Sequence, residues 1–129
     1  KVINKDDLTN ISELIKDVEF KVCDFNDSMK LIKKGDFVYL DPPYVQENKF
    51  SFTSYTSDGF NDDKHNKLFD EIKKLHEKGV KFLLSNSHTT LVLNCFSDFR
   101  CDVIESRRAI NSKNPESKTN EVLITNINY

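Results

Sequence analysis

Gly35-Asp36-Phe37-Val38-Tyr39-Leu40-Asp41-Pro42-Pro43-Tyr44 is the stretch on which the fold turns. Phe37 to Leu40 are four consecutive apolar side chains, which reads as a short strand buried on both faces. The run stops at once, because Pro42 and Pro43 each fix φ and bring no N–H to a strand ladder. A buried strand that ends in a rigid polar turn belongs to a layered sheet whose strand ends carry chemistry.

The flanking segments read as alternating helices and strands. Upstream, Leu8, Ile11, Leu14 and Ile15 lie at helical spacing and predict a helix over residues 8–18. Residues 20–23 alternate and predict a strand, and residues 27–32 a short helix that stops near Gly35. Downstream, residues 45–60 are polar and aromatic without a period, a loop long enough to be functional. Leu68, Phe69, Ile72 and Leu75 then predict a helix over 61–78, with Asp62 and Asp63 in its first turn and Gly79 behind it. A buried strand over 80–84 ending at Ser85-Asn86-Ser87, a helix over 88–96 and a strand over 101–105 follow. A polar loop over 111–119 and a last strand over 121–125 complete the chain. Such alternation predicts an α/β fold with a mostly parallel sheet and an antiparallel last strand, since no helix separates the final two strands. Cys23-Asp24-Phe25, Asp41 to Tyr44 and Ser85 to Ser87 then share one edge, at the carboxyl ends of the strands.

Composition bounds the rest. The chain has 129 residues, 37% hydrophobic and 31% charged, which suits one domain over residues 1–129 with a modest core. No apolar run approaches the ~20 residues of a membrane span, and the Lys1-Val2-Ile3-Asn4 start is no signal peptide. The first residue is not Met, so a piece of a longer protein is expected. Cys23, Cys95 and Cys101 are an odd number without metal spacing, which points to reduced thiols in a cytoplasmic compartment. His65, His76 and His88 have no partners at ligand spacing, so no metal site is expected, and His65 and His76 read as helix-surface residues. A net charge of -2 gives no bulk basic footprint for nucleic acid.

The turn itself points to a reaction. Asp41 and the Pro42 carbonyl are two acceptors on a rigid scaffold, and Tyr44 is a ring beside them. Together they suit an exocyclic amine on a planar base, one hydrogen to each acceptor and the ring stacked on the base. Such an amine is a poor nucleophile, so aimed acceptors favour its pyramidal geometry in the transition state. An amine paired inside a duplex must first leave the stack. The plainer reading of the same tetrad is a turn that ends a strand.

Gly35 to Tyr44 resembles motif IV of the Dam-like DNA adenine methyltransferases, and the likeness continues in the family's order. It runs through Phe52-Thr53-Ser54-Tyr55, Gly59-Phe60, Leu83-Leu84-Ser85-Asn86-Ser87 and Arg107-Arg108-Ala109-Ile110-Asn111-Ser112 to Glu121-Val122-Leu123-Ile124-Thr125-Asn126. The resemblance implies the C-terminal catalytic part of a Rossmann-like, S-adenosylmethionine-dependent methyltransferase sheet acting on adenine N6 in double-stranded DNA. It implies that Asp41, Pro42 and Pro43 form the catalytic turn, with Asp41 also near the cofactor, and that Tyr44 stacks on the flipped base. Asp24 and Phe25 resemble motif III and would seat the cofactor adenine. Phe52 and Tyr55 would line the target base, and Arg108, Asn111 and Ser112 would lie near base and backbone. Here Lys113-Asn114-Pro115-Glu116 stands where the family shows glycine, so the loop departs from the pattern. For Arg107, Arg108, Lys113 and Lys118 together, the plainer reading is a solvated charge run.

The family's glycine-rich cofactor loop and its target-recognition segment find no counterpart, since Gly35, Gly59 and Gly79 are the only glycines and stand far apart. A missing N-terminal part of the same enzyme is therefore an expected partner, and the isolated chain is expected to be inactive. The alternative reading is an inactive nucleic-acid-binding remnant, or one half of a split methyltransferase. The inactive remnant predicts DNA binding without turnover even when the missing half is supplied.

Overall fold

The computed structural model describes residues 4–46, 60–107 and 118–127. Helix α1, Lys5–Leu14, starts at Asn4, whose side chain accepts from the Asp6 amide. It buries none of its residues, and Leu8, Ile11 and Leu14 are all more than half exposed. Helix α2, Phe25–Leu31, starts at Asp24 and buries Met29. Strand β1, Phe37–Leu40, follows, then helix α3, Asp62–Glu77, capped by Asn61 through the Lys64 amide. Gly79 closes that helix at φ +78°, where a Cβ is strained. Strand β2, Lys81–Ser87, helix α4, Thr90–Cys95, strand β3, Arg100–Arg107, and strand β4, Lys118–Thr125, complete the order.

The sheet runs β1-β2-β4-β3. β1 pairs with β2 in parallel, and β4 is antiparallel to both of its neighbours. Three strands thus point one way and only the last is reversed, as the sequence predicts. α3 lays Leu68, Phe69, Ile72 and Leu75 onto this sheet, where Phe82, Leu84, Val122 and Ile124 are fully or almost fully buried. Burial of each such side chain stabilises the fold by about 1.5–3 kcal/mol relative to exposure.

Three expectations need correction. Residues 20–23 form no strand; they are exposed, with Phe20 and Val22 uncovered, because among the described residues no strand lies beside them to take their hydrogen bonds. β1 is not buried on both faces. Phe37 and Tyr39 are exposed and Val38 and Leu40 half-buried, since β1 has β2 on one side only and nothing described covers its other face. Ser85-Asn86-Ser87 do not follow β2 but form its last three residues, opposite Leu123, Val122 and Glu121 of β4.

Candidate active site

The β1–β2 register pairs Tyr39 with Leu83 and Leu40 with Leu84, so the next residues, Asp41 and Ser85, emerge side by side. Ser85 Oγ donates to Asp41 Oδ1 at 2.7 Å. The Tyr39 hydroxyl in turn donates to Ser85 Oγ at 3.4 Å, while the Leu40 carbonyl lies 3.3 Å away as a longer alternative acceptor. A serine hydroxyl has one proton, and the short contact to Asp41 takes it.

Pro42 and Pro43 have no N–H, so the turn must be tied down by donors from elsewhere. Three further side chains tie it. His65 Nε2 meets the Pro43 carbonyl at 2.8 Å. Asn86 Oδ1 accepts from the Val45 amide at 3.0 Å and from the Ser87 amide at 2.9 Å. Ser87 Oγ donates to the Val45 carbonyl at 2.6 Å. His65, Ser85, Asn86 and Ser87 are all buried, so these bonds form away from competing water. Among the described residues nothing donates to the Pro42 carbonyl or to Asp41 Oδ2, and Asp41 itself is exposed. The turn is held at its flanks and open at its centre.

Tyr44 is half-buried beside Ser85. Burial pushes its phenol above the ordinary tyrosine value, and the negative charges of Glu121 and Asp41 add to the rise. The group stays a neutral ring through the physiological range.

A cavity of about 310 Å³ lies on the other side of the turn. Phe25, Met29, Ile32, Val38, Phe60 and Leu68 supply its apolar wall, with Ser28, Tyr39 and the Asp41-Pro42-Pro43 backbone closing it. Phe25 and Phe60 are tilted on each other at 6.0 Å between ring centres. Asp24 is not part of this wall. Its carboxyl accepts from the Asn26 amide at 2.9 Å, and that bond, with the Asn26 side chain, holds it below the usual carboxylate range.

The structure therefore joins Phe25, Asp41, Pro42 and Pro43 in one cavity and sets Tyr44 behind the turn, while Asp24 serves as the cap of α2. Phe52, Tyr55, Arg108, Asn111 and Ser112 lie outside the described residues. Arg107 and Lys118 are register partners where β3 and β4 meet that same sheet edge, and the Lys118 side chain is paired with Glu105. His65 was expected on a helix surface and is instead 2% exposed. The signal was available, because residues 65, 68, 69 and 72 follow the i, i+3, i+4, i+7 face that α3 buries.

The chain is similar to known proteins over most of its length. The family model for D12 class N6 adenine-specific DNA methyltransferases matches residues 1–110. The type II methyltransferase M1.LlaDCHI of Lactococcus lactis subsp. cremoris is 37% identical over 130 aligned residues, which cover 98% of this chain and 46% of that protein. The type II methyltransferase M.MjaIII of Methanocaldococcus jannaschii is 36% identical, covering 98% and 45%. The retron Ec67 DNA adenine methylase of Escherichia coli is 27% identical, covering 88% and 38%. The chain thus spans about half the length, or less, of these relatives. The 110 matched residues take in the cavity wall, the proline turn and the β2 residues that hold it, and the chain belongs to the D12 class of N6 adenine-specific DNA methyltransferases.

Proposed function

We propose that this chain is the base-holding part of an enzyme that transfers a methyl group from S-adenosylmethionine to the N6 amine of an adenine flipped out of double-stranded DNA. The observation that carries the reading is the Asp41–Tyr44 turn, fixed by four buried side chains yet, among the described residues, open at Asp41 Oδ2 and the Pro42 carbonyl. Two open acceptors on one rigid backbone match the two hydrogens of an exocyclic amine. As the amine becomes tetrahedral and gains positive character, both acceptors gain in strength, which is the differential binding that lowers a barrier. Tyr44, held as a neutral phenol, offers its face to the extruded base.

The cavity fits the purine end of S-adenosylmethionine. Its walls are apolar and aromatic, and its ~310 Å³ lies at the small end of ligand pockets, about 300–1,000 Å³. Phe25 and Phe60 would hold the ring and Ser28 would meet a ring-edge polar atom, while Asp24 keeps α2 in place beneath them. When bound, the donor supplies an activated methyl group for direct transfer. The remaining contacts to the donor, and those that read the DNA sequence, would come from the part of the enzyme that this chain does not span. Phe52, Tyr55, Arg108, Asn111 and Ser112 are proposed on the base and DNA side, and the cytoplasm as the place of action.

The test is methyl transfer from radiolabelled S-adenosylmethionine to duplex DNA by the full-length gene product, with the product nucleoside identified. Label in N6-methyladenine is expected. DNA binding without transfer favours the inactive remnant instead.

A further inference from the structure

We infer that His65 is a positioning residue for methyl transfer, setting how the backbone carries Tyr44 relative to the Pro42 carbonyl through its bond to the Pro43 carbonyl. The inference rests on the proposed function and deepens it. Between the Pro42 carbonyl and Tyr44 the backbone has few freedoms. The peptide bonds are planar and the Pro43 ring fixes φ, so ψ of Pro43 is the one soft backbone angle between the Pro42 carbonyl and the Tyr44 amide. The direction of the Pro43 carbonyl reports that angle. His65 Nε2 lies 2.8 Å from this oxygen and is its described partner.

The ring that holds the oxygen is itself held. His65 lies edge-on to Phe60 at 4.7 Å and 85°, tilted on Phe69 at 5.9 Å, and is 2% exposed. Its Nδ1 faces the Asn61 carbonyl at 3.0 Å, in the cap of α3. The Asn61 carbonyl also receives the His65 backbone N–H, whereas the ring is the described partner of the Pro43 carbonyl and makes its shorter contact there. Phe60 touches both His65 and Phe25, so one aromatic row runs from the cavity wall to the turn. The buried face of α3 thereby fixes the geometry of a turn 22 residues away.

The test compares His65→Phe, which keeps a ring but has no donor, with His65→Gln, whose amide reaches the same carbonyl. Both are made in the full-length gene product and assayed for methyl transfer, with folded fraction followed by thermal melting. His65→Phe is expected to lower kcat roughly 10- to 100-fold at nearly unchanged KM for DNA and donor, and His65→Gln to stay within a few-fold of the parent. Should His65→Phe not fold, His65→Asn takes its place, since its amide is one methylene short of the Pro43 carbonyl; it is expected to lose kcat where His65→Gln keeps it. Equal kcat in the donor-less variants, or a loss that His65→Gln shares, overturns the inference. A parent that transfers no methyl group overturns the proposed function and this inference with it, whereas a parent and a His65→Phe variant of equal activity overturn this inference alone.

Discussion

Ser85 Oγ and Asp41 Oδ1, 44 residues apart in sequence, are 2.7 Å apart at the ends of adjacent parallel strands. Among the described residues the contact leaves Asp41 one bonded oxygen and one open oxygen, so the serine chooses which lone pairs face a substrate. Replacing Ser85 by alanine is expected to cost only about 0.5–1.5 kcal/mol of stability, the net worth of one hydrogen bond. Its effect on kcat is expected to be larger in proportion, roughly ten-fold, because a carboxyl free to rotate misses the amine. Steady-state kinetics and a melting curve on the same variant separate the two effects, and unchanged kcat contradicts the role.

Tyr44 carries a pH signature. Its phenol is raised by burial, so the folded state favours the neutral form. The stability this contributes is fully present below the ordinary tyrosine value of about 10 and is lost as pH rises through the raised value. Spectrophotometric titration of the parent minus Tyr44→Phe is expected to isolate a phenol that ionises above the ordinary range. One that ionises at or below it contradicts the buried setting.

Gly79 stands at φ +78° between α3 and Val80, with Lys34 carbons about 3.5 Å from where a Cβ would lie. The space tolerates a methyl group but the backbone angle does not. Gly79→Ala is expected to lose about 1–2 kcal/mol, the cost of the left-handed region for a residue with a side chain. A lower urea midpoint at unchanged slope is the expected readout, and an unchanged midpoint contradicts it.

Leu8, Ile11, Leu14, Val18, Phe20, Val22, Phe37 and Tyr39 are exposed. Apolar area of this kind, beside a strand edge that has no partner among the described residues, drives association. The 129-residue chain alone is expected to elute above its 15.0 kDa monomer mass in sizing experiments, increasingly so with concentration. A monomer at every concentration contradicts this.

Much of the fold was legible because it depends on local pattern. The α3 period, its caps and the abrupt stop of β1 at Asp41 all follow from side-chain spacing and proline chemistry, and the reversed β4 follows from the missing helix before it. What pattern does not carry is partnership. Residues 20–23 alternate like a strand but have no neighbour to pair with, and Phe37 and Tyr39 look like core residues until β1 proves to have one flank bare. The same holds at the site. Asp41 to Tyr44 announce themselves, whereas Ser85, Asn86, Ser87 and His65 act on the turn across 22 to 45 residues of chain. His65 was hidden by its residue type, a polar side chain on an otherwise apolar face.

The most direct test of the central claim is Asp41→Ala in the full-length gene product, assayed for methyl transfer to adenine in duplex DNA and, separately, for S-adenosylmethionine binding. Transfer is expected to be lost while the donor still binds, because Asp41 lends the cavity only one part of its wall but is one of two proposed acceptors for the amine. Transfer at the parent's rate by Asp41→Ala would contradict that claim.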